Sequence, residues 1–213
     1  MKSITSRSSG VAQACAVLLL CAVAAPASAQ TIVLDSYGPG DATDGWPSMV
    51  YRDASGHQDV AIPFTIGAAT TVQSILSSLD GLGGVTFGIM SRSGAVPVDS
   101  SSWLYSTHLT DPVANSQITP SAWSLAAGNY WLTAVADNGF SGTWQSGTED
   151  ATANWAYTDS TGAWVEESSG FVGLPAARIT ATSAVPEPSS YALMLAGGLL
   201  LAVRRARKTG GQA

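Results

Sequence analysis

Short segments in which apolar and polar residues alternate are the feature of this chain that most limits its possible folds. Residues 60–66, 85–90 and 151–158 alternate with a period of two, which is the pattern of a β-strand with one buried face. Further strands are predicted at residues 31–36, 70–77, 103–109, 129–137 and 176–181. No clear helical period is present between residues 30 and 184. We therefore expect an all-β fold, either an antiparallel two-sheet sandwich or a jelly roll.

Turn-forming residues separate the predicted strands. Residues 80–84, 137–139 and 160–162 combine glycine with Asp, Asn, Ser or Thr, and they are predicted to be turns. Pro63 has no N–H to donate to a neighbouring strand, so its strand is expected at the edge of a sheet.

The amino terminus has the features of a secretory signal peptide. Lys2 and Arg7 form a positive region, residues 11–24 are apolar, and residues 27–29 (Ala-Ser-Ala) form a small-residue cleavage site. We predict a signal peptide helix within residues 1–29, which is removed so that the mature chain begins at the next residue, a glutamine.

An apolar run at residues 191–203 ends in a cluster of cations. Its 13 residues would span about 20 Å as a helix, which is less than the ~30 Å of a bilayer core. The run is apolar on all sides, and the cations that follow can reach the headgroups and stay in the cytosol. We therefore predict a single short transmembrane helix. The cations are Arg204, Arg205, Arg207 and Lys208.

A Pro-Glu-Pro element precedes the apolar run. Pro186 and Pro188 flank Glu187 and favour an extended backbone. Together with the apolar run and the basic cluster, this element resembles the PEP-CTERM sorting signal over residues 185–208. In that family the tail is processed by exosortase, a membrane protease-transpeptidase. The resemblance implies an inner-membrane intermediate and then delivery to the cell surface or extracellular matrix of a Gram-negative bacterium, with exopolysaccharide as a partner.

A second resemblance concerns the predicted domain at residues 30–184. Residues 125–132 read Leu-Ala-Ala-Gly-Asn-Tyr-Trp-Leu, in which a turn leads directly into an aromatic strand. This segment resembles the exported β-sandwich domains of the choice-anchor type that accompany PEP-CTERM tails. The resemblance implies a β-sandwich for this domain, residues 30–184 (hereafter the body), and says nothing about a ligand.

The charge of the body makes some partners unfavourable. Residues 30–184 contain 14 acidic residues and only the three arginines Arg52, Arg92 and Arg178, a formal charge of −11. Nucleic acid is excluded as a partner by this argument, because phosphates are neutralised by Lys and Arg. Both cysteines, Cys15 and Cys21, lie in the signal peptide, so the exported body is expected to be stable without disulfides.

An aspartate cluster is the candidate metal site. Asp35, Asp41 and Asp44 surround the glycine-containing segment 37–40, and carboxylate oxygens on such loops are suitable ligands for Ca²⁺. The spacing differs from that of an EF-hand loop. The alternative is that these aspartates only stabilise turns.

The tryptophans are the candidate contacts for a sugar ligand. All seven tryptophans of the chain lie in the body, and Trp144 and Trp164 occur among small and polar residues. An exposed indole ring can stack on the face of a sugar, whereas a buried ring would fill the core. We predict glycan contact at these two residues.

The sequence does not predict an enzyme. The chain contains His57 and His108, but no serine lies in a Gly-x-Ser-x-Gly elbow and no spacing links a serine, a histidine and an aspartate as a nucleophilic triad. Glu166 and Glu167 are adjacent, so they would point to opposite faces of a strand and form a poor acid–nucleophile pair. We expect an exported structural or adhesive protein that binds glycan; the alternative is a secreted polysaccharide-active hydrolase.

Overall fold

The computed structural model describes residues 28–147, 154–167, 173–184 and 197–198. A compact unit spans Ala29–Ser183. Several sequence predictions therefore lie outside the described residues: the signal peptide helix, the Pro-Glu-Pro element, the transmembrane helix apart from two glycines, and the basic cluster. Within the part of the chain that is described, no helix is both long and apolar enough to cross a bilayer.

The described residues form fifteen β-strands. In chain order they are β1 (Ser28–Asp35), β2 (Thr43–Asp53), β3 (Gly56–Gln58), β4 (Val60–Ile66), β5 (Thr70–Ser77), β6 (Leu79–Leu82), β7 (Gly84–Ser91), β8 (Trp103–Thr110), β9 (Ser116–Ile118), β10 (Ser124–Leu125), β11 (Gly128–Ala136), β12 (Ser141–Gly147), β13 (Trp155–Thr158), β14 (Trp164–Glu167) and β15 (Ala177–Ala184).

The strands are arranged in three sheets. The large sheet has the order β14-β13-β4-β11-β7-β8, the five-stranded sheet has β1-β15-β5-β10 with β9 also paired to β5, and the four-stranded sheet has β3-β2-β12-β6. Ser78 alone separates β5 from β6, so the chain passes directly between the two smaller sheets. The all-β prediction is confirmed, and the observed pairings are antiparallel, but the strands form three sheets rather than two.

One hydrophobic core contains residues of all three sheets. Ile62, Phe87 and Leu132 of the large sheet are fully buried, as are Trp144 of the four-stranded sheet and Ile179 of the five-stranded sheet. Apolar burial of this kind is the main favourable contribution to folding. The arrangement is sandwich-like, with side chains of the large sheet packed against those of the two smaller sheets.

A second cluster covers the opposite face of the large sheet. Its centre is Trp131, which is fully buried, and Trp103 and Trp164 pack around it. The guanidinium of Arg92 lies 4.7 Å from the centroid of the Trp131 ring, a distance suited to a cation–π interaction. The large sheet is therefore covered on both faces at this position.

Of the three predicted turns, two are confirmed and one is confirmed in part. Gly139 and Gly162 have positive φ angles of 84° and 85°, which confirms the predicted turns at those positions. The turn predicted at residues 80–84 is confirmed only at Gly83, which has a φ of 98° and lies between β6 and β7, because β6 extends to Leu82. The edge prediction for Pro63 was wrong, since β4 lies between β13 and β11. The register with β13 includes only Val60 and Ala61, so Pro63 lies beyond that pairing.

Candidate functional site

The aspartate cluster binds an arginine of the last strand. The Nε of Arg178 lies 2.8 Å from Asp35 Oδ2, and its Nη1 lies 2.7 Å from Asp41 Oδ1. The hydrogen bond to Asp35 is the main cause of a raised pKa for Arg178. The same guanidinium lies 5.7 Å from the ring of buried Tyr37, whose pKa is raised mainly by burial and also by the negative charge of Asp41.

Asp44 is not part of this arrangement. Its Oδ1 accepts the backbone N–H of Trp46 at 2.9 Å, as in an ordinary aspartate turn. Among residues 28–147, 154–167 and 173–184, no group of three or more acidic, histidine or cysteine side chains could hold a metal ion. The structure therefore does not bring Asp35, Asp41 and Asp44 together as a calcium site, and two of the three carboxylates are paired with Arg178.

The prediction of glycan contact at Trp144 was wrong. Trp144 lies on β12 and is fully buried, with its ring centroid 5.4 Å from that of Phe87. Its Nε1–H donates to the carbonyl of Ala176 at 2.9 Å. The small and polar neighbours in the sequence lie along a strand whose other face points to the core, so they did not indicate exposure.

Trp164 is half-buried on β14, at the edge of the large sheet. It packs against the cluster around Trp131, and its Nε1 is buried without a hydrogen-bond partner among the described residues. Glycan contact at Trp164 stays a prediction.

Trp46 is the exposed tryptophan that the sequence argument missed. It lies on β2 with 68 % of its surface exposed, and its neighbours are Gly45 and Pro47. No local pattern in the sequence indicated this exposure, because the side chains adjacent to Trp46 on a strand point to the opposite face. A rigid strand that carries an exposed aromatic ring is a suitable platform for a flat ligand face.

An open groove of about 580 Å³ lies at the surface of the four-stranded sheet. Three apolar side chains in its lining are exposed: Met49 by 44 %, Leu82 by 73 % and Val113 by 69 %. The polar part of the groove includes Asp80, whose Oδ1 accepts the hydroxyl of Thr143 at 2.6 Å. Apolar lining with a few polar groups is typical of ligand sites.

A histidine–aspartate pair lies at one end of the large sheet. His108 Nε2 and Asp137 Oδ2 are 2.7 Å apart, and about half of each side chain is exposed. A triad would also need a nucleophilic hydroxyl at the other ring nitrogen. The hydrogen bonds of His108 within the described residues do not include a serine or threonine hydroxyl. This pair is therefore insufficient to indicate a nucleophilic hydrolase.

Comparison with known protein families identifies the tail. Residues 184–208 match the PEP-CTERM protein-sorting motif. The chain carries a PEP-CTERM sorting signal. The match includes Pro186, Glu187, Pro188 and the basic cluster, which the sequence argument had selected. Searches of curated proteins and of solved structures find no match to this chain.

The PEP-CTERM signal indicates where the protein is sorted. A chain with this signal is exported, held at the membrane as a sorting intermediate and then delivered outside the cell. The match covers only the tail, so it leaves the role of the β-rich body to be proposed from its surface.

Proposed function

We propose that exosortase processes this protein at its PEP-CTERM tail and delivers it to the cell surface or extracellular matrix. There the body has a non-catalytic structural or adhesive role and contacts polysaccharide. The observation that carries the proposal is the sorting motif at residues 184–208. The short apolar run, with cations on its inner side, would anchor the chain in the inner membrane until processing.

Replacement of Pro186, Glu187 and Pro188 by alanine is the test of sorting. We expect full-length protein to accumulate in the inner membrane, whereas the natural protein is shortened and found outside it. Intact-mass analysis of each membrane and extracellular fraction measures both outcomes. Alanine at Ser189 and Ser190, the next two residues of the tail, provides a matched control that should be shortened normally. Equal mass and location for the triple variant and the natural protein would refute processing through this motif.

Two surface properties support polysaccharide as the contact of the body. Trp46 presents an exposed ring on a strand, and the apolar groove lies on the same four-stranded sheet. The body has a strongly negative charge, which favours neutral over anionic polymers as partners.

Replacement of Trp46 by alanine is expected to weaken the binding of a neutral polysaccharide about tenfold, or about 1.4 kcal/mol. Trp46→Tyr should retain most of the affinity, because an aromatic ring remains. Val98→Ala is a control, since Val98 is 76 % exposed and lies in the β7–β8 connection. Affinity electrophoresis in gels containing the polysaccharide measures the difference. A natural protein that binds no glycan, or a Trp46→Ala variant with unchanged affinity, would contradict a contact at this ring.

A secreted polysaccharide-active hydrolase is the alternative function. It would require a cleft with two convergent carboxylates, and turnover of a polysaccharide or its oligosaccharides by the exported protein would establish it.

A further inference from the structure

The last strand of the body ends at the first residue of the matched sorting motif. Strand β15 continues to Ala184, and Val185 is the one residue between it and Pro186. Two residues of extended chain cover about 7 Å at most. Any enzyme that binds the chain around Pro186 therefore also meets residues that belong to a sheet.

The end of β15 is held on its β5 side by backbone and side-chain contacts. Thr182 is paired with Thr71 and Ser183 with Thr70. In addition, the hydroxyl of Thr70 donates to the carbonyl of Thr182 at 2.8 Å, and Gln73 Nε2 donates to the Thr182 hydroxyl at 3.0 Å. Both side-chain hydrogen bonds are made to Thr182, which lies four positions before Pro186.

Strand β1 lies on the other side of β15. Ser36, which directly follows β1, donates its backbone N–H to the carbonyl of Ala177 at the start of β15, at 2.9 Å. Because the end of β1 meets the start of β15, the two strands run antiparallel. Strand β15 therefore lies inside the five-stranded sheet, between β1 and β5.

The order in which the chain is synthesised allows the five-stranded sheet to form before the tail is processed. The tail follows β15 in the sequence, so the sheet can form before an enzyme reaches the motif. We take the enzyme to bind its substrate as an extended strand through main-chain hydrogen bonds, which is one of the recurring modes of peptide recognition. The same backbone groups cannot pair with β5 and with the enzyme at once. Thr182 and Ser183 therefore have to leave their pairing with β5 before they can be bound.

We propose that residues 182–184 are part of the segment that the processing enzyme binds, and that Thr70 and Gln73 are positioning residues that slow processing by holding Thr182. This inference depends on the proposed processing by exosortase. In that step a peptide bond breaks, the acyl group passes to water or to an amine or hydroxyl acceptor, and the leaving amine receives a proton. The release of the β15 end is a local opening that precedes this chemistry.

The rate of tail processing in cells tests the proposal. A combined Thr70→Val and Gln73→Ala variant removes both side-chain hydrogen bonds. Each such bond is worth about a fivefold change in the opening equilibrium, so we expect the full-length chain to be shortened at least about fivefold faster in a pulse-chase measurement. Thr71→Val is the matched control, because the Thr71 hydroxyl bonds to Ser124 and not to β15. Its rate should equal that of the natural protein.

A second variant leaves the sheet untouched. Insertion of Gly-Ser-Gly-Ser between Ala184 and Val185 supplies a flexible segment in place of residues 182–184. We expect faster processing of this chain and no further acceleration when Thr70→Val and Gln73→Ala are added. An unchanged or slower rate after insertion overturns the inference, even if the natural protein is shortened as proposed. A natural protein that is never shortened overturns both the sorting proposal and this inference.

Discussion

Replacement of Trp144 by alanine is expected to lower the free energy of unfolding of the body by about 3 to 5 kcal/mol. The ring is fully buried between the sheets and contacts Phe87, so its removal leaves a large cavity in the core. The carbonyl of Ala176 is not left unsatisfied, because it also accepts the N–H and hydroxyl of Ser78. Most of the loss should therefore come from packing. Urea denaturation followed by circular dichroism measures the change.

The matched control for this prediction is Trp46→Ala. The substitution is chemically identical, but the Trp46 ring is largely exposed, so we expect a change within about 0.5 kcal/mol. Trp144→Phe should lie between the two, since it retains an apolar ring at the same place. A loss below about 1 kcal/mol for Trp144→Ala would contradict the position of this ring in the core.

Replacement of Asp59 by alanine is expected to cost about 2 to 4 kcal/mol. Asp59 is completely buried, and its carboxylate accepts the backbone N–H of Ala136 at 3.0 Å and the hydroxyl of Ser100 at 2.9 Å. Arg52 Nη2 lies 3.6 Å away. The carboxylate thus connects β2, β11 and the segment between β7 and β8, and its removal leaves buried donors without an acceptor.

A double-mutant cycle isolates the connection to the β7–β8 segment. Ser100→Ala alone should cost about 1 kcal/mol, and its effect should largely disappear in the Asp59→Ala background. Asp53→Ala provides a control, because Asp53 is exposed and forms its hydrogen bonds within its own turn, to Ser55 and the backbone of Gly56. A similar loss of stability for Asp53→Ala and Asp59→Ala, measured by urea denaturation, would show that burial of the carboxylate is not the cause.

The strands that the sequence predicted are those in which larger apolar residues alternate with smaller or polar ones along the chain. Strands β4 and β5 have the predicted bounds of residues 60–66 and 70–77. Strands β2 and β12 were missed, although β2 has 11 residues. Their sequences contain Gly45, Pro47 and Gly142, which oppose strand propensity locally. Pairing between β2 and β12 compensates for this through contacts distant in the sequence.

The sequence predicted functional features correctly only where the residues that form them are neighbours in the chain. The Pro-Glu-Pro element, apolar run and cations of the tail are contiguous in the chain, and the family comparison confirms the sorting motif that they predicted. Of the predicted aspartate cluster only Asp35 and Asp41 share a partner, and that partner, Arg178, lies 143 positions from Asp35 in the chain. No local pattern could reveal that the partner was an arginine.

The sequence by itself determined the strand-rich character of the body and the sorting signal of the tail, because alternation and a contiguous motif are properties of neighbouring residues. Only the tertiary structure decided which tryptophans are buried, which strand lies inside a sheet and where the last strand ends relative to the motif. Each of these depends on pairing between segments far apart in the chain. Such pairing determines which of two chemically equal faces is covered, as the burial of Trp144 and the exposure of Trp46 demonstrate.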